Sequence, residues 1–204
     1  MALKHSYHFL APIYDSMVAK ATHSMREKSL QRLGKIDKES ILLMGVGTGL
    51  DIPLLPAGPS YTGIDITPAM LLKAEKRLSP NLNMELREGD VLALPYSENS
   101  FDIVIMHLIL AVVPDPLTAL HEALRVVKPG GRILILDKFI RPGQIAPMRR
   151  LLNIFLRHIA TRTDVVFEYL LKNTPGLQLL SDETAIAGGW FRYIELLKEH
   201  KELT

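Results

Sequence analysis

Apolar residues change their spacing twice along this chain. Over residues 1–38 they recur at helical intervals around Tyr14, Met17, Val18, Met25 and Leu30, which predicts amphipathic helices. From Ser40 to Asp137 short β-type runs alternate with helical ones. The β-type runs are Ile41–Met44, Tyr61–Asp65, Met84–Arg87, Asp102–Met106 and Arg132–Leu136. Those at 41, 102 and 132 are continuously apolar, as expected of strands covered on both faces. After Asp137 the helical spacing returns over Pro147–Ala160 and Val165–Leu171. Two last β-type runs, Leu177–Leu180 and Phe191–Leu197, are placed to close a sheet edge.

Local signals bound the helices between the strands. Thr67 is in position to cap a helix that starts at Pro68 and runs through Lys76 and Arg77, with its basic end where the helix dipole favours it. A second runs from about Pro116 to Val127 and stops at Lys128-Pro129-Gly130-Gly131. Strand and helix in this alternation predict an α/β fold with right-handed crossovers and a mainly parallel sheet.

Composition narrows the rest. A length of 204 residues, 48% of them hydrophobic, supports one substantial core, so we expect a single domain over 1–204. Its parts are a helical lid at 1–38, a ligand-binding core at 40–137, and lid helices with final strands at 138–204. There is no cysteine, which excludes disulfides, thiolate metal sites and cysteine nucleophiles, and no metal site is expected. The opening residues lack an apolar signal core, and the longest apolar stretch, Ile103–Val113, is too short to span a bilayer. The expectation is a cytoplasmic protein, soluble or peripheral on the inner membrane. The net charge of +2 conceals a basic stretch, Lys138, Arg141, Arg149, Arg150, Arg157 and Arg162, with no acidic residue among them. Met148, Leu151, Leu152, Phe155, Leu156 and Ile159 fall on one helical face there, and Arg150 and Arg157 lie nearly opposite. That layout fits either a basic helix resting on an anionic membrane or an apolar face packed on the sheet. No nucleic-acid partner is expected, since no reading motif accompanies the basic residues.

The chemistry concentrates at strand ends. Gly45-Val46-Gly47-Thr48-Gly49 follows the first strand, where a doubly wound sheet binds its ligand. Asp65 ends the second strand about 20 residues after the first glycine, the position of an acid that accepts hydrogen bonds from ribose hydroxyls. A helix-capping or turn role is the alternative for Asp65. Glu88-Gly89-Asp90-Val91 ends the third strand, so that Asp90 can accept from an adenine amino group while Val91 and Leu92 flank the ring. A nicotinamide-dependent dehydrogenase would need its third glycine one position later, where Leu50 stands.

Together, Gly45–Gly49, Gly63-Ile64-Asp65, Gly89-Asp90-Val91, Leu94-Pro95-Tyr96, Phe101-Asp102 and Val127–Gly131 resemble the motif series of class I S-adenosylmethionine-dependent methyltransferases. The resemblance covers about residues 40 to 137. It implies a Rossmann-like three-layer sandwich with a seven-stranded, mostly parallel sheet whose last strand is antiparallel, and S-adenosylmethionine as cofactor. It also implies that the glycines approach the methionine part, that Asp65 with Ile66 beside it holds the ribose, and that Asp90 and Val91 flank the adenine. Two residues before Gly45, where these enzymes commonly carry an acid, this chain has Leu43, which leaves open a non-catalytic cofactor-binding protein.

Within that family the chain is similar to the ubiquinone/menaquinone C-methyltransferases and the bacterial phosphatidylethanolamine N-methyltransferases. The similarity rests on Phe9–Asp15, on Val112–Pro116 and on Gly49-Leu50-Asp51-Ile52-Pro53, the last two favouring the phospholipid branch. An amine acceptor of ordinary pKa, about 10.4, is neutral only once in about two thousand molecules at pH 7, so a proton acceptor in a partly desolvated site is expected. Tyr7, Tyr14 and His107 are candidates, and His107 is also the natural base for a phenolic proton. Packing for the tyrosines, and a neutral core role for His107, are the plain alternatives. Arg26 is a candidate partner for the methionine carboxylate, which a guanidinium can bind bidentately.

Overall fold

The computed structural model describes residues 20, 22–140, 165–186 and 190–200. Tyr7, Tyr14 and the Pro147–Ala160 stretch fall outside them. Strands β1 (Ser40–Met44), β4 (Phe101–His107) and β5 (Val127–Lys138) form the centre of the sheet, and apolar side chains are buried on both faces of each. With β2 (Ser60–Asp65), β3 (Asn83–Glu88), β6 (Leu177–Ile186) and β7 (Phe191–Lys198) they make one seven-stranded sheet in the order β3-β2-β1-β4-β5-β7-β6. The first five strands are mutually parallel, and β7 runs antiparallel to both β5 and β6.

Helices cover both faces. On one, Leu30 and Leu33 from and beside α1 (residues 22–31) and Leu71 and Ala74 of α2 (Pro68–Glu75) pack on Ile41, Leu43, Ile103, Ile105 and Leu134. On the other, Ala119, Leu120, Ala123 and Val126 of α3 (Pro116–Val126) and Phe167 and Leu170 of α4 (Phe167–Lys172) meet Leu42, Met44, Val104, Met106, Ile133, Ile135, Ile194 and Leu196. The result is the α/β three-layer, Rossmann-like architecture expected from the sequence.

Several local expectations need correction. The Thr67 side chain makes no capping bond to α2; it is the Asp65 carboxylate that accepts from the Thr67 N–H, at 2.9 Å. Pro129-Gly130-Gly131 does not separate α3 from β5. The helix ends at Val126 and the strand begins at Val127, because Val127 already has extended backbone. The sixth strand continues to Ile186, well past Leu180, through two register shifts against β7.

Candidate active site

Order within the sheet makes a ligand site before any side chain is considered. β1 lies between β2 and β4, and the chain winds outward from it in both directions. At such a switch point the crevice lies beyond the carboxyl ends of the strands. The Gly45–Gly49 loop, Asp65, Asp90 and His107 all follow or end strands at that edge. At the opposite edge, a shallow hollow between Glu39, Asp102, Lys128 and Arg132 is crossed by a Lys128–Asp102 ion pair of 2.7 Å and belongs to the sheet's other rim.

The glycine loop is tied to β2. The N–H groups of Gly45 and Val46 both donate to the Ile64 carbonyl, at 2.9 and 3.0 Å. Asp65 then braces the loop from its side: Oδ2 accepts from the Gly47 N–H at 2.8 Å and Oδ1 from Thr67. Burial pushes the Asp65 carboxyl above its ordinary value, and the Thr67 and Gly47 N–H groups and the Thr67 hydroxyl act against that rise. A carboxylate offers about four acceptor sites, so these contacts do not exhaust its capacity for a hydroxyl donor. Gly47 has φ +56°, and among the described residues a Cβ there would meet only the Gly45 carbonyl, at 3.9 Å. The space beside it is open to a ligand. Ile66, next to Asp65, is 62% exposed, an apolar surface at the crevice rim. Gly49 differs: with φ +78° it faces Ile52 and Ala74, so its missing side chain serves the packing of the loop onto α2. These features fit S-adenosylmethionine, with open backbone for its methionine part, Asp65 for its ribose and Ile66 beside the ring.

At the third strand's end, Asp90 Oδ1 accepts from the Leu92 N–H at 2.8 Å, which holds the turn. Val91 is buried with Leu94 in the core, and Leu92 packs partly against it. Leu43 lies in the opposite core cluster among Ile41, Val46 and Ile105, so its position is filled by an apolar contact.

The structure brings two sequence candidates together through residues the sequence reading did not single out. His107 Nδ1 lies 2.9 Å from Asp51 Oδ1, and its Nε2 lies 2.9 Å from the Ser29 hydroxyl. Arg26 Nη1 donates to Asp51 Oδ2 at 2.6 Å, and its Nε donates to Thr22 Oγ1 at 3.2 Å. The His107 side chain is 1% exposed. Arg26 is thus engaged by Asp51, two residues beyond the last loop glycine. The signal for this set was present in the sequence as a polar spacing of four and three, Thr22, Arg26, Ser29, within an otherwise apolar helix face.

Comparison with known proteins matches residues 42–135 to the methyltransferase domain family. A phosphatidylethanolamine N-methyltransferase of Cereibacter sphaeroides is 29% identical over 89% of this chain and 91% of its own length. A demethylmenaquinone methyltransferase of Lactococcus lactis is 36% identical over 61% of this chain, and the match spans about half of that protein, 53%. Among solved structures, a Haloferax volcanii methyltransferase in complex with the Trm112 methyltransferase activator superposes with a TM-score of 0.71 at 16% identity, over 93% of each chain, a likeness of fold. The methyl donor is S-adenosylmethionine, and the enzyme takes a methyl acceptor. With its glycine loop and sheet order, the chain belongs to the class I S-adenosylmethionine-dependent methyltransferases.

Proposed function

We propose that this enzyme methylates the amine headgroup of a phospholipid at an anionic membrane surface. The observation that carries the reading is the reach of the similarity to the Cereibacter phosphatidylethanolamine N-methyltransferase. It extends over 89% of the chain, far outside the cofactor core at 42–135. The basic stretch from Lys138 to Arg162 supports it, since cations interspersed with apolar residues in the sequence favour an anionic lipid surface.

Bound S-adenosylmethionine supplies a sulfonium methyl, whose C–S bonding pair stays on sulfur as the acceptor's lone pair takes the carbon. The protein's part is to orient and to move a proton. Gly47 leaves the loop backbone open to the methionine portion while Gly45 and Gly49 pack the loop in place, Asp65 receives the ribose hydroxyls beside Ile66, and Asp90 with Val91 borders the adenine. Arg26, held beside the loop by Asp51 through Nη1, is the cation for the methionine carboxylate. Methylation of an ammonium acceptor first needs a proton removed, a handicap of roughly 4.6 kcal/mol at pH 7 for a pKa of about 10.4. His107 Nε2 takes that proton, directly or through the Ser29 hydroxyl it already touches; Tyr7 and Tyr14, outside the described residues, are the further candidates for that step. Holding acceptor and donor in a near-attack arrangement supplies about 7–11 kcal/mol, so orientation dominates.

A second reading, C-methylation of a ubiquinone or menaquinone precursor, is supported by the 36% identity with the Lactococcus protein. There His107 would draw the phenolic proton. Methyl-labelled S-adenosylmethionine, purified protein and a total bacterial lipid extract separate the two: label in amine phospholipids is the expected result. Label in a quinone, with none in phospholipid, would replace the first reading by the second.

A further inference from the structure

Beside the apolar Met25 and Leu30, α1 also buries Thr22, Arg26 and Ser29. Arg26, itself donating to Thr22, and Ser29 reach two residues at the ligand edge: Asp51, just past the glycine loop, and His107, at the end of β4. A buried ionic set of this kind is worth little to stability compared with apolar side chains of the same volume. Its location suits another purpose.

The donors and acceptors can be assigned in turn. Burial pushes the Asp51 carboxyl up, but His107 and Arg26 beside it outweigh burial and hold it well below the usual carboxylate range. An ionised carboxylate only accepts, so the His107 Nδ1 that touches it carries the proton. A neutral imidazole has one N–H, which leaves the lone pair on Nε2 to accept from the Ser29 hydroxyl.

We propose that Asp51 is the positioning residue of this site: one carboxylate oxygen on His107 and the other on Arg26 set the imidazole as its Nδ1–H form, with the basic Nε2 turned toward α1. This rests on the reading of His107 as the proton acceptor in methyl transfer. It adds that the basicity of Nε2 depends on a group that touches neither cofactor nor acceptor. It also means that Arg26 of α1 and the base are set by one side chain.

The full chain carrying Asp51→Asn tests this, because an amide has one accepting and one donating side. Arg26 offers only N–H groups, so the amide oxygen turns to Arg26 and the NH2 faces His107 Nδ1. That nitrogen must then accept, the ring proton moves to Nε2, and the Ser29 hydroxyl loses its acceptor. Nitrogen-15 NMR of His107 at neutral pH should show Nδ1–H in the parent protein and Nε2–H in Asp51→Asn. In the double variant Asp51→Asn/Arg26→Met it should show Nδ1–H again, since the amide is then free to turn its oxygen to the ring. A scaffold role predicts no such reversal and return. With lipid acceptor at saturating cofactor, kcat of Asp51→Asn should fall about a hundredfold, the scale of a lost general base, while S-adenosylhomocysteine still binds. An Nε2–H ring or an imidazolium in the parent protein overturns the proposal even if Asp51→Asn fails to fold, and so does an unchanged tautomer in the folded variant. The expected tautomers with an undiminished kcat would instead overturn the role given to His107 in catalysis, so the two failures are distinguishable.

Discussion

Gly47 and Gly49 share a loop and a left-handed backbone, but alanine at the two positions should do different things. At Gly49 the new Cβ would stand 2.7 Å from Ile52 Cδ1 and 2.9 Å from both Cα and Cβ of Ala74. Ile52 can turn its terminal methyl aside, but the Cα of Ala74 is backbone within α2 and cannot yield without moving the helix. Left-handed backbone costs an L-residue roughly 1–2 kcal/mol, and overfilling a packed site adds roughly 1–3 kcal/mol. Gly49→Ala should therefore destabilise by about 3 kcal/mol, which in a chain of this size lowers the thermal midpoint by roughly 6–12 °C. At Gly47 there is no overlap, so Gly47→Ala bears the backbone term alone, about 1 kcal/mol and roughly 2–4 °C. Its Cβ instead enters the space beside the loop, and affinity for S-adenosylhomocysteine should drop sharply. Thermal unfolding followed by titration calorimetry on both variants measures the pair of effects. Equal midpoints for the two, or full cofactor affinity in Gly47→Ala, would refute this division between a packing glycine and a ligand glycine.

Asp65→Ala removes the acceptors for two hydroxyls as well as the brace on Gly47 and Thr67, and should weaken S-adenosylhomocysteine binding more than about a hundredfold by calorimetry, from roughly 3 kcal/mol of hydrogen bonding. Asp137, buried at the end of β5, has its carboxyl pushed by burial from 3.8 to about 6. The folded state then binds more protons than the unfolded one between these values, so Asp137 lowers stability progressively as pH rises from about 4 to 6, by roughly 3 kcal/mol in full. The stability of Asp137→Asn relative to the parent should accordingly climb over that interval in denaturant titrations, and a gap that does not change with pH would contradict this. Arg192 lies against both the Phe139 and Phe167 rings, which touch each other, and pairs with Asp182 and Glu168. Because the two carboxylates are only partly buried, Arg192→Met should cost about 2 kcal/mol in urea unfolding, less than a fully buried pair would. A loss below about 0.5 kcal/mol would mean that the stacking and pairing cancel against desolvation.

How far the sequence could be read depended on whether a feature was local. The central strands announced themselves because burial on both faces leaves no polar positions in Ile41–Met44 or Ile133–Leu136. The glycine loop and Asp65 were legible because their spacing reflects backbone constraints close in sequence. β6 was read short because beyond Leu180 it carries Ser181, Asp182, Glu183 and Thr184. An edge strand with solvent at its side needs no apolar run, and its pairing with β7 is what extends it. Thr67 was assigned a cap by residue type, whereas Asp65 supplies the acceptor from two residues earlier. The Asp51, His107 and Ser29 contacts join positions 56 and 78 residues apart. No spacing rule encodes such a meeting, since it arises only when α1 crosses the end of β4.

The position of β7 bears on how the chain is made. β7 is synthesised after both β5 and β6, yet it lies between them. Until residues 191–198 leave the ribosome, β5 presents an unpaired row of backbone groups beside Ile133, Ile135 and Leu134, and β6 lacks the one strand it pairs with among the described residues. Such an open apolar edge is a template for pairing with other nascent chains. Ribosome stalling or nonsense mutations ahead of Phe191 should therefore yield aggregates captured by chaperones rather than a smaller folded enzyme, although the whole cofactor-binding core would already have been translated.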